Sequence, residues 1–140
     1  MSYKIRETIE TYSRELKRVA EELICSLSLL LGMDKGSLLG LHKELVQGLR
    51  VNYYPPCRMP EKVLGIRPHS DTSSVTILMQ HDIVSGLQIL HQEEWVTVTP
   101  ILNSLVVNLG DVVEVLQNVN LVLRIIDNFS NFLVACSNFY

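Results

Sequence analysis

Apolar runs long enough to cross a bilayer are missing from this sequence: although 47% of its 140 residues are hydrophobic, the greasiest stretches, 27–31 and 119–126, are short or broken by polar side chains. No membrane partner is expected. Basic clusters are missing too. The 12 lysines and arginines are interleaved with 15 aspartates and glutamates for a formal charge of −3, the wrong balance for a surface that neutralises nucleic-acid phosphate, so no nucleic-acid partner is expected. The cysteines are few and form no C-x-x-C pair: Cys25, Cys57 and Cys136 are widely spaced and odd in number, which fits a reducing compartment. Lys4, Arg6 and Glu7 open an amphipathic pattern rather than the apolar core of a secretory leader, so a cytoplasmic protein is expected. Internal repeats and low-complexity tracts are absent as well.

What the sequence does have is periodicity. Ile9, Tyr12, Leu16, Val19, Leu23, Leu27 and Leu30 recur at steps of three and four, the stripe of a long amphipathic helix over residues 3–31. Gly32 stands where the left-handed closing residue belongs. A shorter helix is expected over 37–46, with Leu38, Leu41 and Leu45 on one face. After Gly48 the texture changes to short segments rich in β-branched residues, separated by Pro, Gly, Asn and Ser. Strands are expected at 49–53, 75–79, 87–90, 95–99, 105–108 and 112–116. Hairpin-sized connectors at 82–86 and 91–94 favour antiparallel pairing, and strands at this spacing suggest a sandwich or jelly roll. From about residue 119 the composition shifts again: Phe129, Phe132 and Phe139 mix with asparagines, and no period runs through the segment.

His69-Ser70-Asp71 is the constellation with chemical content. Residues i and i+2 on an extended segment point to one side, so an imidazole and a carboxylate can converge on one ion. Such a pair suits Fe(II), Mn(II) or Zn(II), and one further ligand would complete a two-histidine, one-carboxylate face. By itself the pattern is weak and reads more readily as a solvated loop histidine beside an aspartate. His42, His81 and His91 read as surface or turn residues, and Trp95 as a large core anchor.

The surroundings of His69 carry a resemblance. Asn52-Tyr53-Tyr54-Pro55-Pro56-Cys57 lies seventeen residues upstream, and Val63-Leu64-Gly65-Ile66-Arg67-Pro68 leads into the histidine. Asp71-Thr72-Ser73, Gly86-Leu87-Gln88-Ile89, Trp95-Val96-x-Val98 and Leu105-Val106-Val107-Asn108-Leu109-Gly110-Asp111 follow in order. In these motifs and their spacing the chain resembles the plant Fe(II)/2-oxoglutarate-dependent dioxygenases, over roughly residues 3–118. The resemblance implies an α+β fold, in which N-terminal amphipathic helices pack on a partial double-stranded β-helix (jelly roll) that is incomplete at the C-terminus. Residues 1–48 would be the helical region, 49–118 the partial oxygenase core and 119–140 a divergent tail. It further implies that His69 and Asp71 are iron ligands, that Asn52 and Tyr54 help to hold the co-substrate 2-oxoglutarate, and that the reaction oxidises a small organic molecule. Fe(II) and 2-oxoglutarate are the implied cofactors, and the resemblance also allows ascorbate as a reductant.

The tail departs from that pattern. Members of the family continue to a distal histidine and an Arg-x-Ser pair. Here no histidine follows His91, and Arg124 is followed by Ile125 and Ile126. Two functions of different class are therefore expected to compete: an oxygenase, or a truncated, catalytically inactive product that acts through weak metal or protein binding. The abrupt change at residue 119 and the position of Met1 suggest a central fragment whose tail derives from noncoding sequence such as a retained intron.

Overall fold

The computed structural model describes residues 3–59, 62–80, 84–120, 132–133 and 137–139. The first element, α1 (Tyr3–Leu30), spans 28 residues. It ends as its sequence dictates. Gly32 takes φ +72°, the Gly32 amide reaches the Leu29 carbonyl at 3.0 Å and the Met33 amide reaches the Ser28 carbonyl at 2.9 Å. These are the paired bonds that satisfy the last carbonyls of a helix when a left-handed residue follows it.

The face of α1 that is buried differs from the expected stripe. Leu16, Ala20, Ile24 and Ser28 are fully covered, Tyr12, Leu23 and Leu27 flank them, and Val19 and Leu30 face solvent. The stripe runs through every fourth residue and includes two small side chains that a count of bulky apolar residues overlooks. Ala20 at 0% exposure and Ser28 at 0% let the helix approach its neighbours closely. Ser28 Oγ donates to the Ile24 carbonyl and accepts the Leu38 amide, so its hydroxyl is satisfied in the core.

The second helix is shorter than expected. Only α2 (Ser37–Gly40) is helical, and the chain then runs irregularly to β1 (Gln47–Leu49). The strand expected at 49–53 thus begins and ends earlier, because the Pro55-Pro56 pair biases the preceding residues to extended backbone that makes no ladder. Then follow β2 (Val75–Leu78), β3 (Gln88–His91), β4 (Glu94–Thr97) and β5 (Val106–Leu109), each within two residues of its expected start.

The segment 112–116, expected as a strand, lies in a helix, α3 (Asp111–Asn120). Its valines favour a strand, but Asp111 and Glu114 fall in the first turn, where carboxylates favour the positive end of the helix dipole. The Gly110 carbonyl takes the Val113 and Glu114 amides at 3.0 and 3.3 Å, and Val113 is buried at 3% exposure. Among the described residues of the tail are two short strands, β6 (Phe132–Leu133) and β7 (Ser137–Phe139), where no regular structure was expected.

Among the described residues the strands form two antiparallel sheets. The first has the order β1-β7-β2-β5 and the second β4-β3-β6. In the first, Val75 pairs with Leu109 and Leu78 with Val106, while Val75 also pairs with Phe139 on the other side. All four residues of β2 are buried. Val75 and Ile77 join Leu16, Ala20, Ile24, Leu38 and Leu45 in the main core under α1, and Leu78 packs with Leu87, Val98 and Val106 in a second cluster that links the two sheets. Trp95 is not a core anchor: it lies on the edge strand β4, 41% exposed.

The β3–β4 hairpin closes through Gln92 and Glu93 at φ 49° and 66°, with His91 opposite Glu94. Two successive positive φ values match the turn that follows the natural twist of a hairpin, and glycine tolerates them best. Replacing Glu93 with Gly should raise stability by about 0.5–1 kcal/mol, read from the urea midpoint. The revised helix face predicts that Ile24→Ala costs about 2–5 kcal/mol whereas Val19→Gln stays within about 0.5 kcal/mol. Equal losses in the two variants would contradict the observed orientation of α1.

Candidate metal centre

His69 and Asp71 lie on the extended stretch between Pro68 and the turn that opens β2. The sequence places them two residues apart, and the fold brings them together: His69 Nε2 stands 3.7 Å from Asp71 Oδ1. Each donor is held by its other side. His69 Nδ1 is 2.8 Å from the Arg67 carbonyl, which can only accept, so Nδ1 is the donor there and Nε2 is the nitrogen on the Asp71 side. Asp71, 6% exposed, accepts from Asn108 Nδ2 at 3.0 Å through Oδ2, which leaves Oδ1 toward the histidine.

Neutral imidazole nitrogen and carboxylate oxygen are the donor set for a divalent transition ion. Their separation is less than twice a metal–ligand distance of about 2.1 Å, so one ion can touch both. A carbonyl or carboxamide that fixes the tautomer or rotamer of a ligand is the usual supporting shell of such a site. The residues present therefore fit a metal ion through two ligands. Among the described residues, no group of three or more His, Cys, Asp or Glu side chains is arranged to hold a metal. His81 lies outside the described residues, and His91 sits half-buried at the end of β3, opposite Glu94.

Asn52 and Tyr54, the expected co-substrate residues, make no hydrogen bond to His69 or Asp71. Asn52 has a buried Nδ2 without a hydrogen-bond partner among the described residues, a donor left open for an acceptor. Tyr54 is 44% exposed, and its ring lies over Gly65, where a Cβ would come within 2.9 Å of the ring carbon Cε1.

Residues with no assigned role in the sequence build the rest. Ser70 Oγ donates to Asp111 Oδ2 at 3.1 Å. The Asp111 amide donates to the Asp71 carbonyl at 2.8 Å and the Gly110 amide to the Ser74 carbonyl at 3.1 Å. The corner between β5 and α3 is thus clamped to the 71–74 turn. Gly110 permits the clamp, because a Cβ there would collide with the Ser73 carbonyl and lie 2.6 Å from that of Asp71. His42, read from the sequence as a surface residue, is half-buried and bonded at both ring nitrogens, to the Leu38 carbonyl and to Ser74 Oγ, each at 2.9 Å. Gly110→Ala should therefore cost about 3 kcal/mol, the upper range for overpacking, measured by denaturant unfolding. A cost below about 0.5 kcal/mol, the size of a surface change, would mean that the close approach is not maintained in solution.

Comparison with known proteins gives the family of the chain. Residues 45–123 match the family model described as the 2OG-Fe(II) oxygenase superfamily. The chain is 42% identical over 113 residues to oxoglutarate-dependent flavonoid 7-O-demethylase 1 of Ocimum basilicum, a match that takes in 81% of this chain and 30% of that protein. It is 41% identical over 116 residues to 1-aminocyclopropane-1-carboxylate oxidase 4 of Solanum lycopersicum, covering 81% of this chain and 37% of the relative. Among solved structures, JOX2 in complex with 2OG, Fe and JA superposes with a TM-score of 0.86 at 31% identity, over 98% of this chain and 42% of that one. The chain thus spans about a third of the length of the curated relatives it matches. Its helices over a jelly roll are the fold of these oxygenases. The chain belongs to the 2OG-Fe(II) oxygenase superfamily, whose members work with Fe(II) and 2-oxoglutarate.

Proposed function

We propose that this chain carries the iron-anchoring part of an oxygenase that uses Fe(II) and 2-oxoglutarate to oxidise a small organic molecule of the plant specialised-metabolite or hormone type. The observation that carries the proposal is the pair His69 Nε2 and Asp71 Oδ1, 3.7 Å apart, with both remaining polar atoms tied to the protein. His69 and Asp71 are its metal ligands. Asn52 offers an unpartnered amide to a carboxylate of 2-oxoglutarate, and Tyr54 offers a phenol from the neighbouring segment. When bound, iron with its co-substrate supplies the oxidation of an unactivated C–H bond, chemistry beyond any side chain. The protein's own task is to orient the ligands. Asn108 prevents Asp71 from rotating, and the Arg67 carbonyl keeps the His69 lone pair available. The relatives named as a flavonoid demethylase and an aminocyclopropane-carboxylate oxidase support a small-molecule substrate.

A second reading, in which the chain binds metal weakly and does not turn over, is favoured by one observation: among the described residues no third ligand joins the pair. Two ligands leave an ion weakly held.

Titration with Mn(II) tests the common premise. His69→Ala should abolish binding, and Asn108→Ala should weaken it by about 10–100-fold. Affinity unchanged in His69→Ala would refute the site. Succinate formation from 2-oxoglutarate then separates the two readings: iron-dependent succinate that is lost in His69→Ala supports the oxygenase, and its absence in a metal-binding chain supports the inactive form.

A further inference from the structure

The turn 71–74 carries Asp71 and is held on one side by the β5–α3 corner. On its other side stands His42. Its ring bridges two layers: Nδ1 lies 2.9 Å from the carbonyl of Leu38 in α2, and Nε2 lies 2.9 Å from the Oγ of Ser74. The carbonyl can only accept, so Nδ1 donates to it, and Nε2 pairs with the Ser74 hydroxyl, which can donate or accept. Ser74 is 3% exposed. The Leu38 end of the bridge is itself fixed, since the Leu38 amide donates to Ser28 Oγ and Ser28 is fully buried on α1. On the far side the Ser74 carbonyl receives the Gly110 amide, and the next amide, that of Asp111, donates to the Asp71 carbonyl. A polar path thus runs from the buried face of α1 through α2, His42 and Ser74 to the backbone of Asp71.

We infer that His42 is a positioning residue for the candidate metal centre: by pinning Ser74 to the helical layer it holds the 71–74 turn, and with it the Asp71 carboxylate, in register with His69. This rests on the reading of His69 and Asp71 as metal ligands. An apolar side chain of similar size would fill the same space between the layers. What the imidazole adds is direction, because both its nitrogens are committed to partners on opposite layers and the turn has one seat that satisfies them.

The test uses the full chain and four variants. Ser74→Ala removes the bond from the turn side. His42→Asn keeps an amide near the Leu38 carbonyl but is too short to reach Ser74, whereas His42→Gln reaches Ser74 with both a donor and an acceptor. The fourth variant, His69→Ala, controls for metal binding. Amide hydrogen exchange by NMR on the metal-free chain reads the turn directly. Ser74→Ala and His42→Asn should speed exchange at Gly110 and Asp111 by about tenfold while leaving Ala20 and Ile24, which report global opening, unchanged. His42→Gln should restore slow exchange. Unchanged rates at Gly110 and Asp111, equal acceleration at Ala20 and Ile24, or failure of His42→Gln to rescue would each overturn the inference. Mn(II) titration follows the ligand: affinity should fall about tenfold in Ser74→Ala, the lower range for an outer support of a ligand. Wild-type affinity in that variant would overturn the positioning role. If Mn(II) binding survives His69→Ala, the metal reading itself fails, and the exchange result remains as a separate outcome on the turn.

Discussion

The constraint on which the site depends is the contact of Gly110 with the 71–74 turn. Without a Cβ, its backbone lies against the carbonyls of Ser73 and Asp71, and from there two amides are delivered to the turn. The same corner ends β5 and starts α3, so the register of β5 on β2, the position of Asn108 and the first turn of α3 follow from one close approach. Asn108 reaches Asp71 because Thr76 and Asn108 are paired across that register. A shift by one residue would turn Asn108 to the other face and leave the Asp71 carboxylate without its partner.

Much of this was legible in the sequence because it depended on local rules. Gly32 closes α1 where expected, and β2 to β5 fall where β-branched residues cluster. His69 and Asp71 meet because an extended segment puts i and i+2 on one side. The failures have physical causes too. Reading bulky residues as the buried stripe missed Ala20 and Ser28, whose value lies in being small. Val112, Val113 and Val115 argued for a strand, but the hydrogen bonds of the Gly110 carbonyl and the acidic first turn decided for a helix. The roles of Asn108, Ser70 and His42 depend on partners 37, 41 and 32 residues away, a distance at which single residues give no signal. The N-x-G-D string around Asn108 was visible as a motif but not as a carboxylate support.

The tail shows how sheet edges take what backbone is available. Residues 137–139 lie between β1 and β2 and pair with both, and 132–133 pair with β3. Strand pairing asks only for extended backbone with free amides and carbonyls, so a segment without recognisable periodicity can still occupy an edge that would otherwise invite another chain.

The small side chains on α1 have a consequence for how this sequence can drift. Ala20 and Ser28 set the gap between the helix and the sheet, and Val75, Ile77 and Leu38 fill the space on the opposite side. Volume gained at position 20 has to be given up at one of those three, in a dense interior where a single methylene is felt. Relatives that carry a larger residue at the position of Ala20 are therefore expected to carry smaller ones across the gap, a compensating pair that would show itself in sequence comparison as correlated substitution between the helical layer and β2.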